Sequence, residues 1–303
     1  MNRILLEPNE IGAEDRAVLG GVRAEHIRSV LHGTVGQPLK TGVVGGKIGV
    51  SVIEAVTPTE ITVRCVHDQA PLPPWCDLVL APPRPRVMKR LLPQLATLGV
   101  RRLFLVGAEK VEKAFWGAQL LKPEIYRPLL IEGLMQGAVS TQLPEIHQEK
   151  RFSKWLSGGD FAKNFENQPF RIIAHPPLPG TVPMSSSVAN VQCCQSQSPI
   201  SIGTGNIGTG NNSTLATFTI PSSGTVPTSS GTVPTSLGTV PVFAIGPEGG
   251  WTDKEVALLE AEGFVRHSLG PRILKTETAT IALLSRFMLE RPVENFAVSH
   301  ALG

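Results

Sequence analysis

The chain has 303 residues, 41% of them hydrophobic, and a formal net charge of +3, which suggests two domains, room for a sizeable core, and no global polyelectrolyte character. No apolar run approaches the roughly 20 residues a membrane span needs. The stretch Met1 to Glu10 carries an acid too early for a signal peptide, so the expected location is cytoplasmic. Cys65, Cys76, Cys193 and Cys194 show neither CxxC spacing nor neighbouring histidine pairs, which argues against a metal site and against a disulfide scaffold.

Residues 1–70 read as a small β domain. Ile48 to Val56 and Ile61 to Val66 alternate apolar and polar residues, the period of half-buried strands. Thr57-Pro58-Thr59-Glu60 suits the hairpin turn between them, and Thr41 to Gly46 reads as glycine-marked turns. Ala70-Pro71-Leu72-Pro73-Pro74-Trp75 is a stiff joint. A second domain, 76–303, opens with the buried-strand run Leu78 to Ala81. A helix follows from Val87 to Leu98, stopped by Gly99, with Pro93 expected to kink or divide it. Leu103 to Val106, Arg171 to His175 and Val242 to Ile245 read as further strands. Strands alternating with helices predict an α/β fold with a parallel sheet.

From Arg84 to Arg127, ten basic residues (Arg84, Arg86, Lys89, Arg90, Arg101, Arg102, Lys110, Lys113, Lys122 and Arg127) face only Glu109, Glu112 and Glu124. That imbalance is the footprint of a phosphate-backbone partner or a solvated helix face. The segment 176–241 contains no Asp, Glu, Lys or Arg and repeats Gly-Thr-Val-Pro at Gly180, Gly224, Gly231 and Gly238. It has little to bury and is expected to be a disordered insert. Within it, Gly203 to Gly208 matches GxGxxG as a string only. No strand precedes it, no helix follows it, and no acid appears before Glu248.

Two glycine-proline loops carry the chemistry. Ala244-Ile245-Gly246-Pro247-Glu248-Gly249-Gly250-Trp251 runs from a strand into a turn. The capping box Thr252-Asp253-Lys254-Glu255 then starts a helix, with Gly263 suited to its end. Leu269-Gly270-Pro271-Arg272-Ile273-Leu274-Lys275-Thr276-Glu277-Thr278-Ala279 follows one helix later. It leads into a last helix, about Glu277 to Glu290, with Ile281, Leu284 and Met288 on one face. Glycines here permit positive φ and close backbone approach, and the two loops can lie side by side at a sheet edge around a flat ligand.

These two loops resemble the signature loops of the small-subunit ribosomal RNA uridine methyltransferases (16S, uracil-N3-specific) of the SPOUT superfamily. The resemblance implies an N-terminal PUA-like β-barrel and a C-terminal SPOUT α/β domain with a deep trefoil knot. It implies S-adenosyl-L-methionine as cofactor, held by Ala174, His175, Pro176, Ile245, Gly246, Pro247, Glu248, Gly249, Gly250, Leu269, Gly270, Ile273, Leu274, Thr276, Thr278 and Ala279. Arg272 is suited to a developing uracil anion, and Glu248 or Glu277 could accept the N3 proton. RNA contacts are expected at Arg3, Arg28, Arg84, Arg86, Lys89 and Arg90. The expected partners are small-subunit ribosomal RNA or the assembled small subunit, and a second copy in a homodimer. Met135, Val139 and Ser140 depart from the polar residues the family usually carries, in a segment expected to border the substrate or the dimer contact. They motivate one alternative, a catalytically weakened RNA-binding protein. The other alternative is a methyltransferase of this fold acting on a different RNA.

Overall fold

The computed structural model describes residues 2–176 and 240–289. Residues 177–239 of the repeat-bearing insert, with the GxGxxG string, Cys193 and Cys194, lie outside the described residues.

The N-terminal part comprises β1 (Ile4–Leu6), β2 (Arg16–Leu19), α1 (Gly21–Ser29), β3 (Pro38–Val43), β4 (Ile48–Val56) and β5 (Ile61–Gln69). The strands form one five-stranded sheet in the order β1-β3-β4-β5-β2. β1 runs parallel to β3 and the other pairs are antiparallel. The β4–β5 hairpin closes as its turn residues demand, with Thr57 N–H donating to Glu60 O and Glu60 N–H donating to Thr57 Oγ1, both at 2.9 Å. Thr41 to Val43, expected as turn, belongs to β3. The glycine at position 42 fits tight packing, because a Cβ there would lie 3.1 Å from Ile48 and 3.2 Å from Leu5.

The second part comprises β6 (Cys76–Leu80), α2 (Pro85–Thr97), β7 (Val100–Val106), α3 (Pro123–Gly137), β8 (Glu145–Glu149), α4 (Phe152–Ser157), α5 (Asp160–Phe165), β9 (Arg171–Ala174), β10 (Val242–Ile245), α6 (Asp253–Ala261), β11 (Val265–His267) and α7 (Thr276–Leu289). Its sheet has six strands in the order β11-β9-β10-β6-β7-β8, and every pairing is parallel. β6 and β10 are buried along their whole length, as central strands covered on both faces must be.

Two helices differ from expectation. Pro93 does not divide α2, which runs unbroken from Pro85 to Thr97. The proline lies where α3 crosses, and a Cβ on Gly133 would sit only 2.0 Å from Pro93 O. Thr97 Oγ1 ties the same crossing, donating to Gly133 O at 2.8 Å. The buried face of α7 is Thr276, Thr280, Leu283, Leu284 and Phe287. Ile281 is half-buried and Met288 exposed, so the stripe is rotated from the expected Ile281, Leu284 and Met288.

Arg101 and Arg102 leave the proposed basic patch. They start β7 and close on Asp77, the one charged side chain inside β6. Arg101 Nε donates to Asp77 Oδ1 at 2.9 Å, and the Nη2 atoms of both arginines reach Oδ2 at 2.6 Å. Gln168 Nε2 adds a further bond to Oδ2 at 2.9 Å. Asp77 has no solvent exposure. Burial pushes its pKa up, but the hydrogen bonds from Arg101, Arg102 and Gln168 outweigh burial and hold the carboxyl below its ordinary range.

Asp77→Ala should therefore destabilise the fold by about 3 kcal/mol, since it strands two partly buried cations. In the wild type this contribution should be full above the unfolded carboxylate pKa of 3.8. It should be lost as pH falls through the lower native value. Urea melts of both proteins between neutral pH and pH 3 check this: the gap between them should shrink in acid.

Candidate active site

Because all six strands are parallel, their carboxyl ends share one edge, the edge at which open α/β sheets bind ligands. Three adjacent strands deliver the loops. β9 ends at Ala174 and passes into His175 and Pro176. β10 ends at Ile245 and turns through Gly246 to Gly250. β11 ends at His267 and leads through Leu269 to Leu274 into α7. Between them is a cavity of about 270 Å³.

The structure brings together at this cavity nearly every residue expected there: Ala174, His175, Pro176, Ile245, Gly246, Pro247, Glu248, Gly249, Gly250, Leu269, Gly270, Ile273, Leu274, Thr276 and Ala279, with Arg272. Thr278 and Glu277 are absent from the lining. They lie on the first turn of α7, exposed and half-buried respectively. Trp251, to which the sequence assigns no ligand role, also lines the cavity. It stacks on Phe152 with ring centres 5.0 Å apart, which joins the cavity wall to the aromatic core.

The glycine-rich turn is held from outside. Glu255 is 3% exposed and its carboxylate spans two elements. Oε2 caps α6 by accepting from Thr252 N–H at 2.9 Å, and Oε1 accepts from Glu109 N–H at 2.8 Å in the loop after β7. Lys110 Nζ from the same loop donates to Gly249 O at 2.8 Å. Arg84, before α2, lies 3.8 Å from Glu248 and 3.0 Å from Glu112. On the inner side Thr276 Oγ1 donates to Gly246 O at 3.3 Å.

The glycines differ in what they do. Gly250 and Gly270 have φ of +69° and +109° and serve conformation. Gly246 serves close approach, since a Cβ there would lie 3.1 Å from the Trp251 ring. At Gly249 a Cβ would meet Lys110 Cδ at 3.0 Å, so that position faces its brace. A flat heteroaromatic nucleoside fits such a cavity, with apolar walls from Ile245, Leu269, Leu274 and Ala279 and main chain laid bare at the glycines.

The expected RNA contacts divide into groups. Arg86, Lys89 and Arg90 are exposed on α2, and α2 carries no acid. Arg84 is engaged by Glu112 and Glu248, and Arg28 by Glu25 at 2.7 Å. Arg3 is committed elsewhere: its guanidinium donates to Ala138 O, Thr41 O and Gly49 O at 2.7, 2.6 and 3.0 Å.

A parallel sheet with glycine-turn loops enclosing a cavity at its carboxyl edge places the chain among α/β proteins with a ligand site at the strand ends. The family described as "RNA methyltransferase domain" matches residues 70–204 and 222–288, and the chain belongs to that family. Ribosomal RNA small subunit methyltransferase E of Treponema pallidum is 27% identical over 287 residues, covering 93% of this chain and 88% of its own. Ribosomal RNA small subunit methyltransferase E from Neisseria gonorrhoeae, solved bound to S-adenosyl methionine, superposes with a TM-score of 0.59 at 16% identity, over 96% of this chain and 98% of that one. A Legionella pneumophila structure holding the cofactor SAM gives 0.59 at 20% identity, over 95% and 97%.

Gly270→Ala should lower S-adenosylmethionine affinity by tenfold or more. A φ of +109° costs a residue with a Cβ roughly 1–3 kcal/mol, and the loop relieves it by leaving this shape. Gly250→Ala should cost less, because +69° lies near the left-handed well. Calorimetric titration of the two variants with the cofactor checks the order.

Proposed function

We propose that the chain is an S-adenosylmethionine-dependent methyltransferase that modifies N3 of a uridine in 16S ribosomal RNA. The observation that carries the reading is the cavity at the ends of β9, β10 and β11, in a chain of the RNA methyltransferase family. The name shared by the Treponema and Neisseria relatives supports the small-subunit RNA as substrate. The five-stranded N-terminal sheet is read as a PUA-like RNA-binding domain over residues 1–70, and 76–303 as a SPOUT domain with the trefoil knot. The strand order favours the knot: the chain leaves β10, pairs β11 on the far side of β9, then returns α7 over β10. A homodimer in the cytoplasm completes the reading.

When bound, the cofactor supplies an electrophilic methyl group. The protein's tasks are to hold the uracil N3 in line with it and to accept the N3 proton. Arg272 is exposed at the cavity and permanently charged, so it can stabilise the negative charge that develops on the uracil. Of the two carboxylates considered as base, Glu248 lines the cavity and Glu277 does not, which favours Glu248. For the alternative of a weakened enzyme, Val139 keeps a surface position at 43% exposure, while the other two departures are interior. Met135 and Ser140 are buried at 7% and 8% exposure, none of Met135, Val139 and Ser140 is in the cavity lining, and their segment contacts the N-terminal sheet.

Methyl mapping by mass spectrometry in 16S RNA from cells with and without this gene tests the function. A single uridine should lose N3 methylation when the gene is absent, and unchanged RNA would reject the reading.

Arg272→Ala should lower methyl transfer by roughly 10²-fold with cofactor affinity nearly kept. Single-turnover rates beside calorimetry check it, and normal turnover at saturating RNA would remove Arg272 from the chemistry. Replacing Arg86, Lys89 and Arg90 by alanine should reduce the log–log salt slope of RNA binding by roughly 0.7–0.9 per lost phosphate contact. A slope equal to that of the wild type would make the α2 face merely solvated.

A further inference from the structure

Residues 135–141, the end of α3 and the start of the loop to β8, form the socket into which the N-terminal sheet is fixed. Asn2 N–H and Arg3 N–H both donate to Met135 O at 3.1 Å, Gly45 N–H donates to Thr141 O at 2.8 Å, and Leu72 N–H in the proline-rich joint donates to Val139 O at 2.7 Å. Two side chains complete it. Thr141, fully buried, donates from Oγ1 to Gly46 O at 2.6 Å. Arg3 bridges Ala138 O on one side to Thr41 O and Gly49 O on the other. Farther along α3, Arg127 pairs with Glu7 through both carboxylate oxygens, one at 2.8 Å.

The socket is continuous with the cavity. α3 is keyed to α2 at Gly133 and Pro93. The residues leading from β6 into α2 are tied to the strand and turn at the cavity: Ala81 N–H donates to Ile245 O at 2.9 Å, and Arg84 lies 3.8 Å from Glu248. A chain of packed contacts thus runs from the N-terminal sheet to the cofactor loop, with no glycine-rich hinge at the joint, where Pro71, Pro73 and Pro74 stiffen the backbone.

We infer that Arg3 and Thr141 are positioning residues. They fix the reach between the RNA-holding N-terminal sheet and the cofactor cavity, and so select which uridine receives the methyl group. The inference rests on the function proposed above. Neither residue touches the cavity; each acts by holding the frame on which the RNA lies. Transfer chemistry needs the acceptor atom at near-attack distance, and a displacement of about 1 Å can cost roughly 10²-fold in rate. A loosened junction would leave each half able to bind its own ligand while spoiling their register.

The test compares wild type, Thr141→Val, Thr141→Ser and Arg3→Ala, with S-adenosylmethionine carrying a labelled methyl group and 16S RNA in small subunits. For Thr141→Val and Arg3→Ala, cofactor Kd and RNA KM should stay within about threefold. The kcat at the native uridine should fall by roughly 10²-fold, and label should appear on neighbouring uridines. Thr141→Ser, which keeps the hydroxyl, should restore rate and single-site labelling. A role in folding alone would lower melting temperature without spreading the label. Folded variants with unchanged kcat and one labelled site overturn the inference, as does a loss explained by weaker cofactor binding. Should Arg3→Ala fail to fold, Thr141→Val decides, because it keeps the main-chain bond to Gly45. If wild type transfers no methyl to the RNA, the functional reading falls and takes this inference with it. An active wild type with indifferent variants rejects the inference alone.

Discussion

Parallel pairing of all six strands in the larger sheet is the constraint on which the site depends. It places the carboxyl ends of β9, β10 and β11 side by side at one edge. The main-chain groups that leave those strands lose their ladder partners there and become free to meet a ligand. Glycine at 250 and 270 lets the departing chain turn with positive φ. Trp251 then folds back beneath the turn, against Gly246. The cavity is a consequence of chain direction more than of any side chain brought into it.

Loops of bare backbone hold their shape poorly unless something outside stiffens them. One buried carboxylate, Glu255, does this at the carboxyl edge, and a second, Asp77, stiffens the opposite end of the sheet. Asp77 gathers Arg101, Arg102 and Gln168 near the start of β6 and ties β6 to β7. Glu255 works at the other end, where its two oxygens serve the first turn of α6 and the loop after β7. Both are fully partnered, which is the condition under which buried charge is tolerated. Exposed pairs such as Arg84 with Glu112 contribute far less, so the rigidity of the glycine-rich turn rests on Glu255, helped by Lys110.

Most of this site was legible in the sequence because its signals are local. A capping box needs only four residues, and Thr252 with Glu255 forms one. The second bond of Glu255, to Glu109, is 146 residues away in the chain, and no local pattern announces it. Arg101 and Arg102 read as surface charge because the single acid opposite them, Asp77, belongs to another strand. The edge strands β8 and β11 escaped notice for a different reason. Glu145 to Glu149 and Val265 to His267 contain no fully buried residue, so neither needs the apolar alternation that betrays a strand. The rotated face of α7 has a related cause. Thr276 and Thr280 are buried, and Thr280 Oγ1 is satisfied within the helix by donating to Thr276 O at 2.7 Å, so two polar residues sit where hydrophobic counting expected apolar ones.

The segment 135–141 shows how misleading side-chain identity is when the main chain makes the contacts. Met135, Val139 and Ser140 invite suspicion as lost polar groups. Yet it is the carbonyls of Met135, Ala138, Val139 and Thr141 that receive donors from the N-terminal region. A carbonyl is supplied by any residue, so these bonds do not depend on the side chains at 135 and 139; the Met135 side chain instead packs in the core. What the segment does demand is conformation: Ala138 has a φ of +63°, a state that costs a residue with a Cβ about 1–2 kcal/mol. Arg3 Nε bonds to that residue's carbonyl and offsets part of the cost. The turn it creates is followed by two carbonyls that accept from the N-terminal region: Val139 O from Leu72 N–H in the joint, and Thr141 O from Gly45 N–H in the turn after β3.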